Sequence, residues 1–465
     1  MTLDINNFWQ PYTPSPANPW DARKVGHLYR RAGFGATHAE LEAGVADGHE
    51  KSLERVLSGK PESEDFTRTS EFMASEQSMP PGAPLPRLSA WWLDRMLKTA
   101  HPLREKLTLF WHNHFATSNV KVQNARYMLG QYRLMHKHAL GSFKDLLVEM
   151  GRDPAMMIWL DTIQSVKGKP NENYARELME LFSLGIGNYT EADIREAAKA
   201  FTGYNIENGK SSFNRKQHDD STKKVFGKTG TFKGEDIAGL CLKQPSCPKF
   251  IVSKLYRFLI SESDAPAAEV IDSLAEMYRS SGFDTGKLVG TMLRSNLFFS
   301  PQCYRAKIKS PVDFAVSIVR GLEGTAGPLP LAAILEGLGQ VLFAPPSVKG
   351  WDGGQTWLNA QTLLFRNNLA LALTSTEGTG FGTRCDPAKL LANHGKKTDE
   401  DVVDFLLGVF LQGDAPAETR ARLLAYLKQA KATKVPVYWT SDDKSNHRYR
   451  AVAHLVLTIP EFQLD

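Results

Sequence analysis

Along most of the chain apolar residues return every three or four positions, the period of an amphipathic helix. The opening "MTLDINNFWQPYTPSPANPW" lacks that period and reads, over residues 1–19, as an extended proline-rich arm. Helical signals begin at Trp20, where Gly33 supplies a stop and Thr37 with Glu40 forms a capping-box start for the next helix. The loop "SMPPGAPLP" (residues 78–86) interrupts the pattern and "RLSAWWLDRML" resumes it. Leu103, Leu107, Phe110, Trp111 and His114 then share one stripe. The segment "NENYARELMELFSLG" closes on Gly185, which suits a helix C-terminus, and Thr190 with Asp193 makes a second capping-box start.

The period fails over residues 205–234, where "SSFNRKQHDDSTKKVFGKTGTFKG" has short β-type runs between turn residues and predicts a β-hairpin insertion. Helices return from Glu235 to the end, broken by "LFAPPSVKGWDGGQTWLN" (residues 342–359), too dense in Pro, Gly and Trp for a regular element. No period of 20 to 50 residues repeats. The expected fold is mainly α: a large multi-helix body with a small β-hairpin insertion near its middle. Its expected parts are an arm (1–19), an N-terminal helical region (20–204), the insertion (205–234) and a C-terminal helical region (235–465) continuous with 20–204.

Composition changes the picture only at its edges. With 465 residues and 42% hydrophobic content the chain can bury a large core. A net charge of +5 over this length gives no argument for nucleic acid. Cys241, Cys247, Cys303 and Cys385 are too few for a disulfide framework and lack zinc-knuckle or CxxC spacing, so they read as buried thiols. The start has Asp4 and several prolines where a signal peptide needs a basic and then an apolar stretch, and no later segment is apolar enough to span a membrane. On these grounds a cytoplasmic location is expected.

Six stretches in order, "HLYRRAGFGAT", "LREKLTLFWHNHFATS", "GRDPAMMIWLD", "PNENYARELMELFSLGIGNYTEADIREAAKAFTGY", "HDDSTKKVFGKTG" and "LFAPPSVKGW", resemble the bacterial domain-of-unknown-function family 1800, from about residue 20 to the end. The resemblance implies a helical protein with no settled activity. It also implies a sulfatase-like partner encoded by a neighbouring gene and, since many members carry an export signal, a periplasmic or cell-envelope location as the alternative to the cytoplasm.

The chemistry must then come from residues. In "FWHNHF" (residues 110–115), His112 and His114 are about 200° apart if the segment is helical and cannot share a metal, but point the same way if the chain extends after Trp111. In the second case Glu177 is the candidate third ligand for a divalent metal. Asn173, Glu177 and Glu180 share one helical face, opposite Tyr174, Leu178, Leu181 and Phe182. The plainer alternative is a solvated face on which Arg176 pairs with Glu180. Asp153 and Asp161 read as helix caps.

His218 and Asp219, with Asp220, sit where a hairpin turn is expected; His218–Asp219 is a candidate proton-transfer pair or simply a turn. Around them lie Lys210, Arg215, Lys216, Lys223, Lys224, Lys228 and Lys233, a strip that could attract an anionic polysaccharide. Trp351 and Trp357 are candidates for a sugar-stacking platform or for plugs on the core, and Asn173 and Arg176 for further substrate contacts. GxSxG, GxxxxGK[ST], HExxH and GxGxxG motifs are absent. Two functions follow. One is an enzyme, metal- or acid/base-dependent, acting on a cell-envelope or extracellular polymer through His112, His114, Glu177, Glu180, His218 and Asp219. The other is a non-catalytic helical scaffold that binds the sulfatase-like protein.

Overall fold

At Thr37 and Thr190, where the sequence places capping boxes, helices start. Thr37 accepts from the Glu40 N–H while the Glu40 carboxylate accepts from that of Thr37, and Thr190 with Asp193 repeats the arrangement. The computed structural model describes residues 5–262, 266–375, 385–432 and 441–465. Among them are 22 α-helices and only two antiparallel strand pairs, so the chain is mainly α. None of the described helices is long and apolar enough to cross a membrane. The arm is docked on the body: the Trp9 indole donates to the Val270 carbonyl (2.9 Å) and the Tyr12 N–H to that of Arg294 (2.8 Å).

The insertion departs from the single hairpin expected. Strand β1 (Tyr204–Glu207) pairs with β2 (Lys210–Phe213), and β3 (Lys223–Val225) with β4 (Lys228–Gly230). Each pair turns through two residues at positive φ, Asn208–Gly209 and Phe226–Gly227. Asn-Gly announces such a turn in a sequence; Phe-Gly does not, because a bulky residue seldom adopts that conformation. His218, Asp219 and Asp220 therefore lie in the connection between two hairpins and not at a hairpin tip.

The helix that organises the interior is α1 (Pro102–His114), started by a proline at its first turn. Its apolar stripe, Leu103, Leu107, Phe110 and Trp111, is buried in one core together with residues from Tyr12 to Cys303. From its other side Leu109 enters a second core, which draws on residues from Phe34 to Phe462. Burying each such side chain contributes roughly 1.5–3 kcal/mol, which fixes α1 between the two. Neither core follows a division at residue 235, since both recruit residues from each side of the insertion.

Charged groups are buried where the two cores meet. Lys106 of α1 pairs with Asp313 (2.5 Å), and Arg31 donates to the carbonyls of Leu259 (3.1 Å), Ile260 (3.0 Å) and Cys303 (2.5 Å). Lys309 donates to the carbonyls of Phe462 (2.6 Å) and Leu464 (3.0 Å), and Arg366 to that of Lys309 (2.7 Å). Buried cations of this kind need such partners, because an unpaired charge out of water is costly. The four cysteines are free and buried, as expected.

Candidate functional site

At the end of α1 three consecutive side chains leave in three directions. The helix continues through His114 before Phe115 closes it, so of the two geometries open to "FWHNHF" the chain adopts the helical one. His112, fully buried against Trp92, Phe343 and Trp351, accepts the Phe343 N–H at Nε2 (3.1 Å). Its proton is thus on Nδ1, and burial pushes its pKa down to about 3. Asn113 clamps Trp351 by both backbone groups, accepting its N–H (2.7 Å) and donating to its carbonyl (3.2 Å). His114 donates from Nε2 to the Phe182 carbonyl (3.0 Å) and presents Nδ1 to the Lys254 amine (3.2 Å). Burial, then the Lys254 charge, hold it well below the usual histidine range.

The clamp requires glycine beside it. Gly350 has φ +83°, and a Cβ there would lie 2.1 Å from the Asn113 side-chain oxygen. Residues 342–359 are therefore pinned twice, by His112 at Phe343 and by Asn113 at Trp351. Trp351 and Trp357, each 8% exposed, both pack inward and line the open space beside them.

That space is a cleft of about 450 Å³ between the two cores. One wall is α2 (Ser246–Leu259), which offers Lys254, Arg257 and Phe258; the other is the pinned loop, with Lys349, Trp351, Asp352, Gln355 and Trp357. Asn113 and His114 lie in the lining, as do Glu262, Lys307 and Asp313. Lys307 is paired with Glu262, and Asp313 with Lys106.

Lys254 is the half-buried cation of this wall, where Arg257 is exposed. Its amine is hydrogen-bonded to His114 Nδ1 and donates to the Leu181 carbonyl (3.1 Å), and it lies 4.8 Å from the Phe250 ring centre. Burial lowers its pKa to about 8. In the neutral amine both N–H bonds are then engaged with His114 and Leu181, which leaves the lone pair without a protein donor. The carbonyls of Leu181 and Phe182 are available because they lie in the last turn of the π-helix Leu178–Ser183, where helix carbonyls have no partner within the helix. Sequence reading missed Lys254. Its signal is the run Phe250, Lys254, Phe258, a lysine between aromatic residues four positions away on either side.

The remaining candidates are not brought together. His112 and His114 use their Nε2 atoms on opposite sides of α1, and no group of three or more His, Cys, Asp or Glu among the described residues is placed to hold a metal. The set His112, His114, Glu177 is therefore not assembled as a chelate. Glu177 is half-buried, its pKa raised by burial and by Glu180, with Arg176 and the Lys349 of the loop opposing. Glu180 accepts the Tyr189 hydroxyl (2.6 Å). Arg176 pairs with Glu191 (2.8 Å) and Glu172 (3.2 Å) instead of Glu180, and Asn173 is exposed.

His218 is buried and uses Nδ1 on the Thr202 carbonyl (2.9 Å). The Asp219 carboxylate accepts instead from the Ser221 N–H (3.0 Å). The two thus satisfy local backbone and do not form a His-Asp relay. Asp153 caps its helix through the Met156 N–H (2.9 Å); Asp161 makes no cap and pairs with Lys121 (2.8 Å). A second cavity of about 470 Å³ at the other end of α1 is walled mainly by Ala32, Ala39, Ala43, Val56 and Leu103. Its Glu40 and Arg55 are committed to Arg320 and Asp47.

No curated protein and no solved structure matches the chain. Residues 27–464 match the model of a family described as protein of unknown function (DUF1800).

Proposed function

The chain belongs to the DUF1800 family, whose description supplies no activity, and we propose from the cleft itself that the protein is an acid/base enzyme with Lys254 as its base. The observation that carries this reading is an amine lowered to about 8, in a cleft wall, with both N–H bonds of its neutral form engaged by His114 and Leu181. A lysine tuned to that range exchanges protons with substrate near neutral pH. His114 is a positioning residue: its Nε2–H bond to Phe182 fixes which ring nitrogen faces the amine. The reaction class is modification or cleavage of a polar polymer of the cell envelope, since the cleft is open along a wall carrying Trp351, Trp357 and Gln355. The metal-dependent form of this reading has less support, because His112 and His114 face apart.

A second reading has its own observation. His112 and Asn113 spend their side-chain hydrogen bonds on the backbone of the loop, as a scaffold would require. The two readings part at Lys254. Trapping lysine adducts of pyridoxal 5′-phosphate with borohydride, and mapping them by mass spectrometry as a function of pH, reads its titration directly. The enzyme reading expects Lys254 to label first, with a midpoint near 8. A midpoint near the ordinary 10.5 would leave only the scaffold.

A further inference from the structure

We propose that the cleft takes an anionic glycan whose reacting unit is a uronosyl residue, its carboxylate held by Arg257 and Lys349 while Lys254 removes the proton from the carbon that bears it. The proposal rests on Lys254 acting as a base. Its own support is a pair of exposed cations in the lining, Arg257 and Lys349, the second of which also faces Glu177. Lys307 and Glu262 neutralise each other, as do Lys106 and Asp313. Arg257 and Lys349 are exposed and form no ion pair among the described residues. Of the acids in the lining, only Asp352 stands against them without a partner among the described residues. An anion is therefore favoured.

The placement is specific. Arg257 follows Lys254 by three residues and shares its helical face. Lys349 adjoins Gly350 and Trp351, the part of the loop clamped on Asn113, so its backbone is held against the cleft from the other side. Gln355 and Asp352 supply hydrogen-bonding groups for the hydroxyls of a sugar ring, in a lining that the inward-packed Trp351 and Trp357 support.

The chemistry follows from these positions. A proton beside a carboxylate is hard to remove until the carboxylate charge is offset, and two cations offset it. Lys254 takes that C5 proton, the C–H electron pair forms a C4=C5 double bond, and the C4–O glycosidic bond breaks. The leaving oxygen takes a proton from solvent and Lys254 returns its own, so the polymer is cleft by β-elimination with no oxidant, reductant or net consumption of water. A sulfate ester would meet the same cations but offers no such proton.

The test is incubation of the full chain with polygalacturonate, alginate, dextran sulfate and neutral dextran, following the ultraviolet absorbance of unsaturated uronosyl ends and binding by calorimetry. A polyuronate should bind and give that absorbance. Lys254→Met should abolish the product and keep binding, and the exposed pair Arg257→Ala/Lys349→Ala should weaken binding roughly tenfold to hundredfold. Binding of dextran sulfate alone, binding of polyuronate without unsaturated product, or no binding at all overturns the proposal. If Lys254 still labels with a midpoint near 8, the base reading survives that failure; if it labels as an ordinary lysine, both fall.

Discussion

His112 shows how one side chain can look catalytic in a sequence and be structural in the fold. Two histidines around an asparagine, in an aromatic frame, suggest ligands. What the sequence could not supply was the partner, because the Phe343 N–H is 231 residues away. The buried ring gives a specific acid sensitivity. Its native pKa is near 3, against about 6.5 when unfolded. Below 6.5 the unfolded chain takes a proton that the folded one refuses, so stability falls as pH drops from 6.5 toward 3, by up to about 1.4 kcal/mol per pH unit. His112→Phe removes that term but strands the Phe343 N–H, at about 1–3 kcal/mol near neutral pH. Urea unfolding over a pH series should show the two proteins converging as acidity rises; parallel curves would contradict the assignment. Lys254 was hidden for the same reason as Phe343: only packing brings it to His114, 140 residues apart.

Local signals read well at the scale of elements. The Thr37 and Thr190 capping boxes, the apolar stripe of α1 and the irregularity of residues 342–359, apart from a short 3-10 turn at Gly354–Trp357, follow from spacing over a few residues. Three features did not: the second turn built on Phe226 at positive φ, the π-helix at Leu178–Ser183, and the docking of the tryptophan loop. Each depends on conformations or contacts that periodicity does not encode. The loop gives a clean prediction. Gly350→Ala would place a methyl group 2.1 Å from the Asn113 side-chain oxygen in a backbone region that disfavours alanine. Hydrogen exchange should speed up across residues 343–358 and stay unchanged in the helix Ala22–Arg31, with a loss of roughly 1–3 kcal/mol. Unaltered protection in the loop would mean that the clamp does not hold it.

For the molecule as a whole, the mainly α character was legible from end to end, while the existence of two cores sharing α1 was not. Hydrophobic residues look alike wherever they are buried, so a sequence does not say which core will take them. The charged groups between the cores are the testable part. Lys106→Met should cost about 3–5 kcal/mol in chemical denaturation, since it leaves Asp313 buried without its partner. Adding Asp313→Leu should recover much of that loss; a double variant no better than the single one would show that the pair matters for more than its charge. The same groups bear on how the chain is made. Lys309 is synthesised 153 and 155 residues before the Phe462 and Leu464 carbonyls that receive its amine. At about 5–20 residues per second the ribosome delivers those partners roughly 8–30 s later. Until then the lysine must stay hydrated and the second core open, so the body reaches its final form only after Phe462 and Leu464 have emerged.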